Sequence, residues 1–101
     1  MTTLETLKAA RAKIAEESNW TQMVLARDGN AIPVAVTSPN ATSWCLDGAL
    51  QLVSDEDESY KAYLFLCSLV PDPVYFNDNH THAEVLALFD KAIAELEGGA
   101  K

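Results

Sequence analysis

The apolar positions fall into four helical rows, interrupted by one stretch of a different period. Leu4, Leu7, Ala10 and Ile14 recur at steps of three and four, which places side chains on one face of an α-helix, and predict a first helix over 3–18. Thr2 and Glu5 have the spacing of a capping box at its start, and Ser18-Asn19 supplies a stop. Ala41, Trp44, Cys45, Gly48, Ala49 and Leu52 repeat the same steps, with Leu46, Leu50 and Val53 as a second row beside them. A helix that apolar must be covered on more than one side. Residues 38–53 therefore read as a central helix, capped by Ser38 with Pro39 in the first position and with Trp44 as its largest contribution to the core. Gly48 costs a helix interior about 1 kcal/mol relative to Ala; with Ala49 it leaves a shallow place for another backbone. Tyr60 to Val70 is apolar nearly all round and predicts a third helix, deeply buried or partly exposed at a partner surface. Pro71-Asp72-Pro73 ends it, because the residue before a proline is pushed out of the helical region. Val85, Leu86, Phe89, Ala92, Ile93 and Leu96 mark a fourth helix, opened by the capping-box pair Thr81 and Glu84 and ended by Gly98-Gly99.

Between the first and central helices the pattern changes. Met23–Arg27 and Ala31–Val36 read as two strands around Asp28-Gly29-Asn30, since Asp-Gly between apolar runs suits a hairpin turn with positive φ. Pro33 places the second strand at an edge or beside a bulge. A lone hairpin is marginal and must pack on the helices, with Trp20 as its anchor. Residues 74–80 read as a loop that begins with buried aromatics. The expected fold is α+β: four helices with one β-hairpin between helix 1 and helix 2, forming a single compact domain over 1–101.

Composition narrows the function classes. A chain of 101 residues can bury one core without disulfides or a metal, and 49% apolar content argues against disorder. The formal charge is −8, from 15 acids and 7 bases, so direct binding to a nucleic acid is not expected; the only local basic group, Lys8, Arg11 and Lys13, is surrounded by Glu5, Glu16 and Glu17. A basic protein partner is electrostatically easier, and a homo-oligomer remains open. The N-terminus has no signal-peptide core and no run is long enough for a membrane span, so a cytoplasmic protein with Cys45 and Cys67 as reduced thiols is expected.

Several residues invite chemistry. A catalytic cysteine needs a lowered pKa, exposure and a nearby base; Cys45 lies on an apolar row, which suits packing, and Cys67 reads the same way. His80-Thr81-His82 with Asp78 offers metal-type donors, but a tetrahedral site needs more ligands from elsewhere, and neighbours of a helix start are the simpler reading. Asn77-Asp78-Asn79 suits turns and caps or recognition of a polar ligand. Trp44 suits the core, and Trp20 suits either an anchor or a partner contact. The acid run Asp55–Glu58 lacks the Gly and the alternation of a calcium loop and suits the start of a helix, where the dipole favours negative charge. No phosphate-cradling glycine loop, nucleophile elbow or zinc motif is present. No catalytic residue, metal ligand or cofactor is assigned; the binding candidates are Trp20, Asn77, Asp78 and His80.

Trp20-Thr21-Gln22, Ala41-Thr42-Ser43-Trp44-Cys45-Leu46-Asp47-Gly48-Ala49-Leu50, Phe76-Asn77-Asp78, and Glu84-Val85-Leu86 running to Lys91-Ala92-Ile93 together resemble a family of small uncharacterised proteins from bacteria and their tailed phages. The resemblance covers most of the chain, and its Trp-Cys-x-x-Gly-Ala segment is the most specific part. Asn19 stands where Gly often precedes the Trp in similar sequences. The resemblance implies a shared fold and a phage or mobile-element setting, and no reaction. The favoured function is a non-enzymatic protein-interaction module. A phage-borne acidic protein that presents carboxylates in place of phosphates to a nucleic-acid-binding host protein is a special case. The alternatives are a small Cys- or metal-dependent hydrolase and a structural subunit of a virion or oligomer.

Overall fold

The computed structural model describes residues 1–98. Among these residues, five α-helices that pack on one another are joined by one 3-10 turn and a two-stranded antiparallel sheet, which packs on that turn and on α2: α1 (Thr3–Lys13), the 3-10 turn Glu17–Asn19, β1 (Ala26–Asp28), β2 (Ala41–Trp44), α2 (Leu46–Val53), α3 (Glu56–Cys67), α4 (Pro73–Asn79) and α5 (His82–Gly98). The α+β character matches the sequence reading; the count and placement do not. Among the described residues there are five α-helices, not four. With the 3-10 turn counted as the second helical element, the strand pair lies between the second and third helical elements, not the first and second.

Two local decisions account for most of the difference. The expected central helix is shortened at its start: Ser38-Pro39 forms a turn, with the Asn40 N–H donating to Ser38 Oγ and the Ala41 N–H to the Ser38 carbonyl. Residues 41–44 then run extended to pair with β1 in the register Ala26↔Trp44, Arg27↔Ser43 and Asp28↔Ala41. The odd residue, Thr42, makes the irregularity between Arg27 and Asp28. Helix α2 starts only at Leu46, with Cys45 as N-cap. The second difference is α4, expected as a loop. Asp72 is extended, as a residue before proline should be, and its carboxylate accepts the Tyr75 N–H, so Pro73 opens a new helix instead of merely closing the old one.

The expected hairpin is also rearranged. Its turn is real: Asp28 Oδ1 accepts the N–H groups of Asn30 and Ile32, and the Asp28 N–H donates to the Ile32 carbonyl. The positive φ falls at Ala31, not at Gly29. Residues 31–36 form no strand; Pro33 makes a single bridge to Arg27, and the Val34 N–H donates to Ala26. The partner of β1 comes instead from beyond this segment.

Both capping boxes form as expected. Thr2 and Glu5 exchange bonds at the start of α1, and Thr81 and Glu84 do so before α5. The α1 helix stops at Lys13, earlier than expected, and Gly99, half of the stop expected for the last helix, lies outside the described residues. One apolar cluster joins Leu7, Ala10 and Ile14 of α1, Leu46, Ala49 and Leu50 of α2, Ala62 and Leu66 of α3, and Val85, Leu88, Phe89 and Ala92 of α5. Trp44 belongs to it from β2, 8% exposed, with its indole N–H donating to the Val36 carbonyl and the Lys13 ammonium 4.8 Å from the ring. Gly48 allows a close approach: a Cβ there would lie 2.1 Å from the Leu25 carbonyl oxygen, which also accepts the Cys45 N–H.

Candidate functional site

Three of the four sequence-predicted binding residues meet at one junction. Asn77 projects from α4 and is fully buried. Its Oδ1 accepts the Trp20 indole N–H at 2.7 Å and the Leu46 backbone N–H at 3.0 Å. Its amide donates to the Thr21 carbonyl and to Asp78 Oδ1, each at 3.1 Å. Both lone-pair directions and both N–H groups are thereby used. Asp78 Oδ1 also accepts the Met23 N–H, which holds Met23 at a positive φ of 76°. The Gln22 side-chain amide donates to the carbonyls of Asn77 and His80. Arg27 adds three donations, to Thr21 Oγ1 and to the carbonyls of Gln22 and Ala31. Segment 20–27, the start of α2 and the end of α4 are thus tied by side-chain to backbone bonds. No described buried side-chain N or O lacks a partner.

The fourth candidate, His80, sits at the edge of this junction. Its ring stacks on Phe76 at 3.8 Å, and Nδ1 lies 2.9 Å from the Phe76 carbonyl, a contact that makes Nδ1–H the donor. His82 points elsewhere. Its Nε2 is 2.7 Å from the Ile14 carbonyl at the end of α1, and its ring tilts against Trp20. Each imidazole therefore caps a different helix end. No group of three or more His, Cys, Asp or Glu converges among the described residues.

Cys45 is 4% exposed, and its sulfur accepts the Gly48 N–H at 3.3 Å. Burial pushes this thiol up to about 11, against the pull of the Gly48 and Asp47 N–H groups and with a further push from the Asp47 and Asp78 carboxylates. No imidazole is hydrogen-bonded to it. That environment opposes the thiolate a nucleophile requires. Burial likewise raises the Cys67 thiol.

Pattern reading does not single out a cleft of about 580 Å³ between α2 and α3. Asp47, Gln51 and Ser54 line one wall, and Glu56, Ser59, Tyr60 and Tyr63 the other. Each set has helical spacing, so each is one face of its helix. Asp47 is half-buried; Gln51 donates to its Oδ2 at 3.2 Å, and burial raises its carboxyl from the ordinary range. Burial also raises the Tyr63 phenol. Asp55, which caps α3, and Asp57 add negative charge nearby. A smaller, more apolar groove of about 360 Å³ lies between α4, α5 and the end of α3, with His80 on its rim.

The model of a family of unknown function matches residues 1–95. Comparisons with curated proteins and with solved structures gave no match.

Proposed function

The chain belongs to the family of unknown function DUF6197, and we propose that it is a non-enzymatic module that binds a basic protein partner through the side formed by α2 and α3. The carrying observation is the distribution of charge. Five of the seven bases are engaged within the fold: Lys8 pairs with Glu97, Arg11 with Asp90 and Lys61 with Glu58, while Lys13 lies over Trp44 and Arg27 is bound to carbonyls. Carboxylates at the start of α3 adjoin the exposed side chains of Tyr60 and Leu64, one helical turn apart. Negative charge beside exposed aromatic and aliphatic surface suits a cationic protein face, which it both steers and packs against.

The polar residues that carry the family resemblance, Trp20, Asn77 and Asp78, are read as the frame that sets α2 and α4 in place, with His80 as a helix-end cap. Their engagement with backbone groups supports this reading, and the burial of Cys45 away from any imidazole weighs against the hydrolase alternative. A cytoplasmic setting on a phage or mobile element completes the proposal, supported by the resemblance of the motif segments; among the described residues no helix is long and apolar enough to cross a membrane.

The test is capture of a partner from lysate by the tagged protein over a range of salt, repeated with Glu56→Lys and Asp57→Lys together. These two are chosen because Asp55 caps α3 and Glu58 pairs with Lys61. A partner retained at low salt, released at high salt and lost on charge reversal is expected; no partner at any salt would overturn the reading. Light scattering of the free protein separates the structural-subunit alternative, which requires a defined higher oligomer.

A further inference from the structure

The cleft between α2 and α3 combines features that select one class of ligand. Its volume, about 580 Å³, falls in the range of roughly 300–1,000 Å³ common to ligand sites and exceeds what one side chain fills. Asp47 and Glu56 contribute carboxylates from opposite walls, and Tyr60 and Tyr63 contribute aromatic rings one turn apart on α3. Resting on the reading of the chain as a binding module, we propose that this cleft receives the guanidinium group of an arginine side chain, with Asp47 and Glu56 as its acceptors and Tyr60 and Tyr63 as its stacking faces.

The lining rejects the competitors in turn. Two carboxylates repel an anion. A bare metal ion needs several converging donors, and no such group exists among the described residues. A neutral polar ligand leaves Asp47 uncompensated: this carboxylate is half out of water, has one side-chain partner, Gln51, and is held above its ordinary pKa by burial. A cation supplies the missing partner. Aromatic rings favour an organic cation that can lose part of its hydration. Between the two basic side chains, the guanidinium is planar, binds a carboxylate with two parallel donors and stacks on rings, whereas the ammonium is compact and strongly hydrated. The remaining volume accommodates peptide on either side of the arginine.

The experiment is a titration of the ¹⁵N-labelled protein with three capped tripeptides, acetyl-Ala-Arg-Ala-amide, its lysine analogue and its citrulline analogue, the last being uncharged but nearly the same shape. The arginine peptide is expected to move the amide signals of Asp47, Gln51, Tyr60 and Tyr63 and to bind at least tenfold more tightly than the citrulline peptide, with lysine between them. Asp47→Asn should weaken arginine binding at least tenfold, while the spectrum away from the cleft stays that of the folded chain. Equal binding of arginine and citrulline peptides, or no movement at the cleft at millimolar peptide, overturns the proposal. A partner captured equally by the Asp47→Asn chain and the unaltered chain would likewise overturn the cleft assignment but leave the binding-module reading standing; absence of any partner would sink the module reading, while the peptide titration still decides the cleft.

Discussion

Replacing Asn77 by Ala removes the acceptor for two N–H groups and the donor for one carbonyl. The Leu46 N–H is buried and is one of the otherwise unpaired donors at the start of α2. The Trp20 indole is only partly buried, so water can recover some of its loss. The Thr21 carbonyl loses the Asn77 amide as a donor. An unsatisfied buried group costs about 1–3 kcal/mol. With one group at full cost, two at partial cost and a small void, the loss comes to roughly 3–5 kcal/mol. A domain of this size has a total stability of about 5–15 kcal/mol, and each kcal/mol moves Tm by about 4–8 °C, so a fall of at least roughly 12 °C is expected. Thermal unfolding measures the fall, and urea unfolding followed by tryptophan fluorescence measures the free-energy loss. Asn77→Asp refines the test. The introduced carboxyl retains both acceptor contacts but lies buried beside Asp78, so its folded pKa is raised above about 3.9. Its neutral form is favoured in the fold: stability is greatest below that pH and declines as pH rises through the folded value. A loss below about 1 kcal/mol for Asn77→Ala, with an unchanged denaturant slope, would refute the reasoning.

Gly48→Ala should reverse the usual sign of a helix-interior Gly→Ala change: the added Cβ meets the Leu25 backbone carbonyl, and a loss of about 2–3 kcal/mol is expected. Gly29→Ala, with nothing within 4 Å, serves as control, and comparable urea midpoints for the two variants would contradict the packing. Asp47→Asn should raise stability at neutral pH. Burial raises the folded pKa of Asp47 above the ordinary 3.8, so its contribution to stability is complete below that pH and lost as pH rises through the folded value; the gain should vanish near pH 3, and a lower midpoint at pH 7 would contradict it. Iodoacetamide at pH 8 should label Cys67 first and Cys45 only as fast as the chain opens; faster labelling of Cys45, read by mass spectrometry, would restore the nucleophile reading.

What could be read from the chain was local. The boxes Thr2 with Glu5 and Thr81 with Glu84 need only residues three apart, and both form. The rule that a polar cap followed by proline opens a helix points to Ser38-Pro39, where it fails, while Asp72-Pro73, which reads as a helix stop, is where it holds. The difference is tertiary: residues 41–44 have a strand partner in β1, and no interval along the chain announces it. The helical spacing of Ala41, Trp44, Cys45 and Gly48 arises across a strand, a cap and the first turn of a helix. The Asn77 bond to Trp20 spans 57 residues, so its turn-forming composition was visible and its buried destination was not. For the cleft, the spacings 47, 51, 54 and 56, 59, 60, 63 were present in the chain. Along the chain Glu56 reads as part of the acid run that suits a helix start, the tyrosines read as part of an apolar helix and Asp47 carries no signal of its own, because only the packing of α2 on α3 makes the two rows face each other.

The central claim is that the polar groups of the junction hold the fold together. Hydrogen exchange of the Trp20 indole N–H and the Asn77 side-chain amide, followed by NMR, tests it most directly. The account predicts that both exchange only with global opening, at the pace of the buried backbone amides of α5. Free exchange at either group, while α5 remains protected, would show the junction open to solvent and would contradict it.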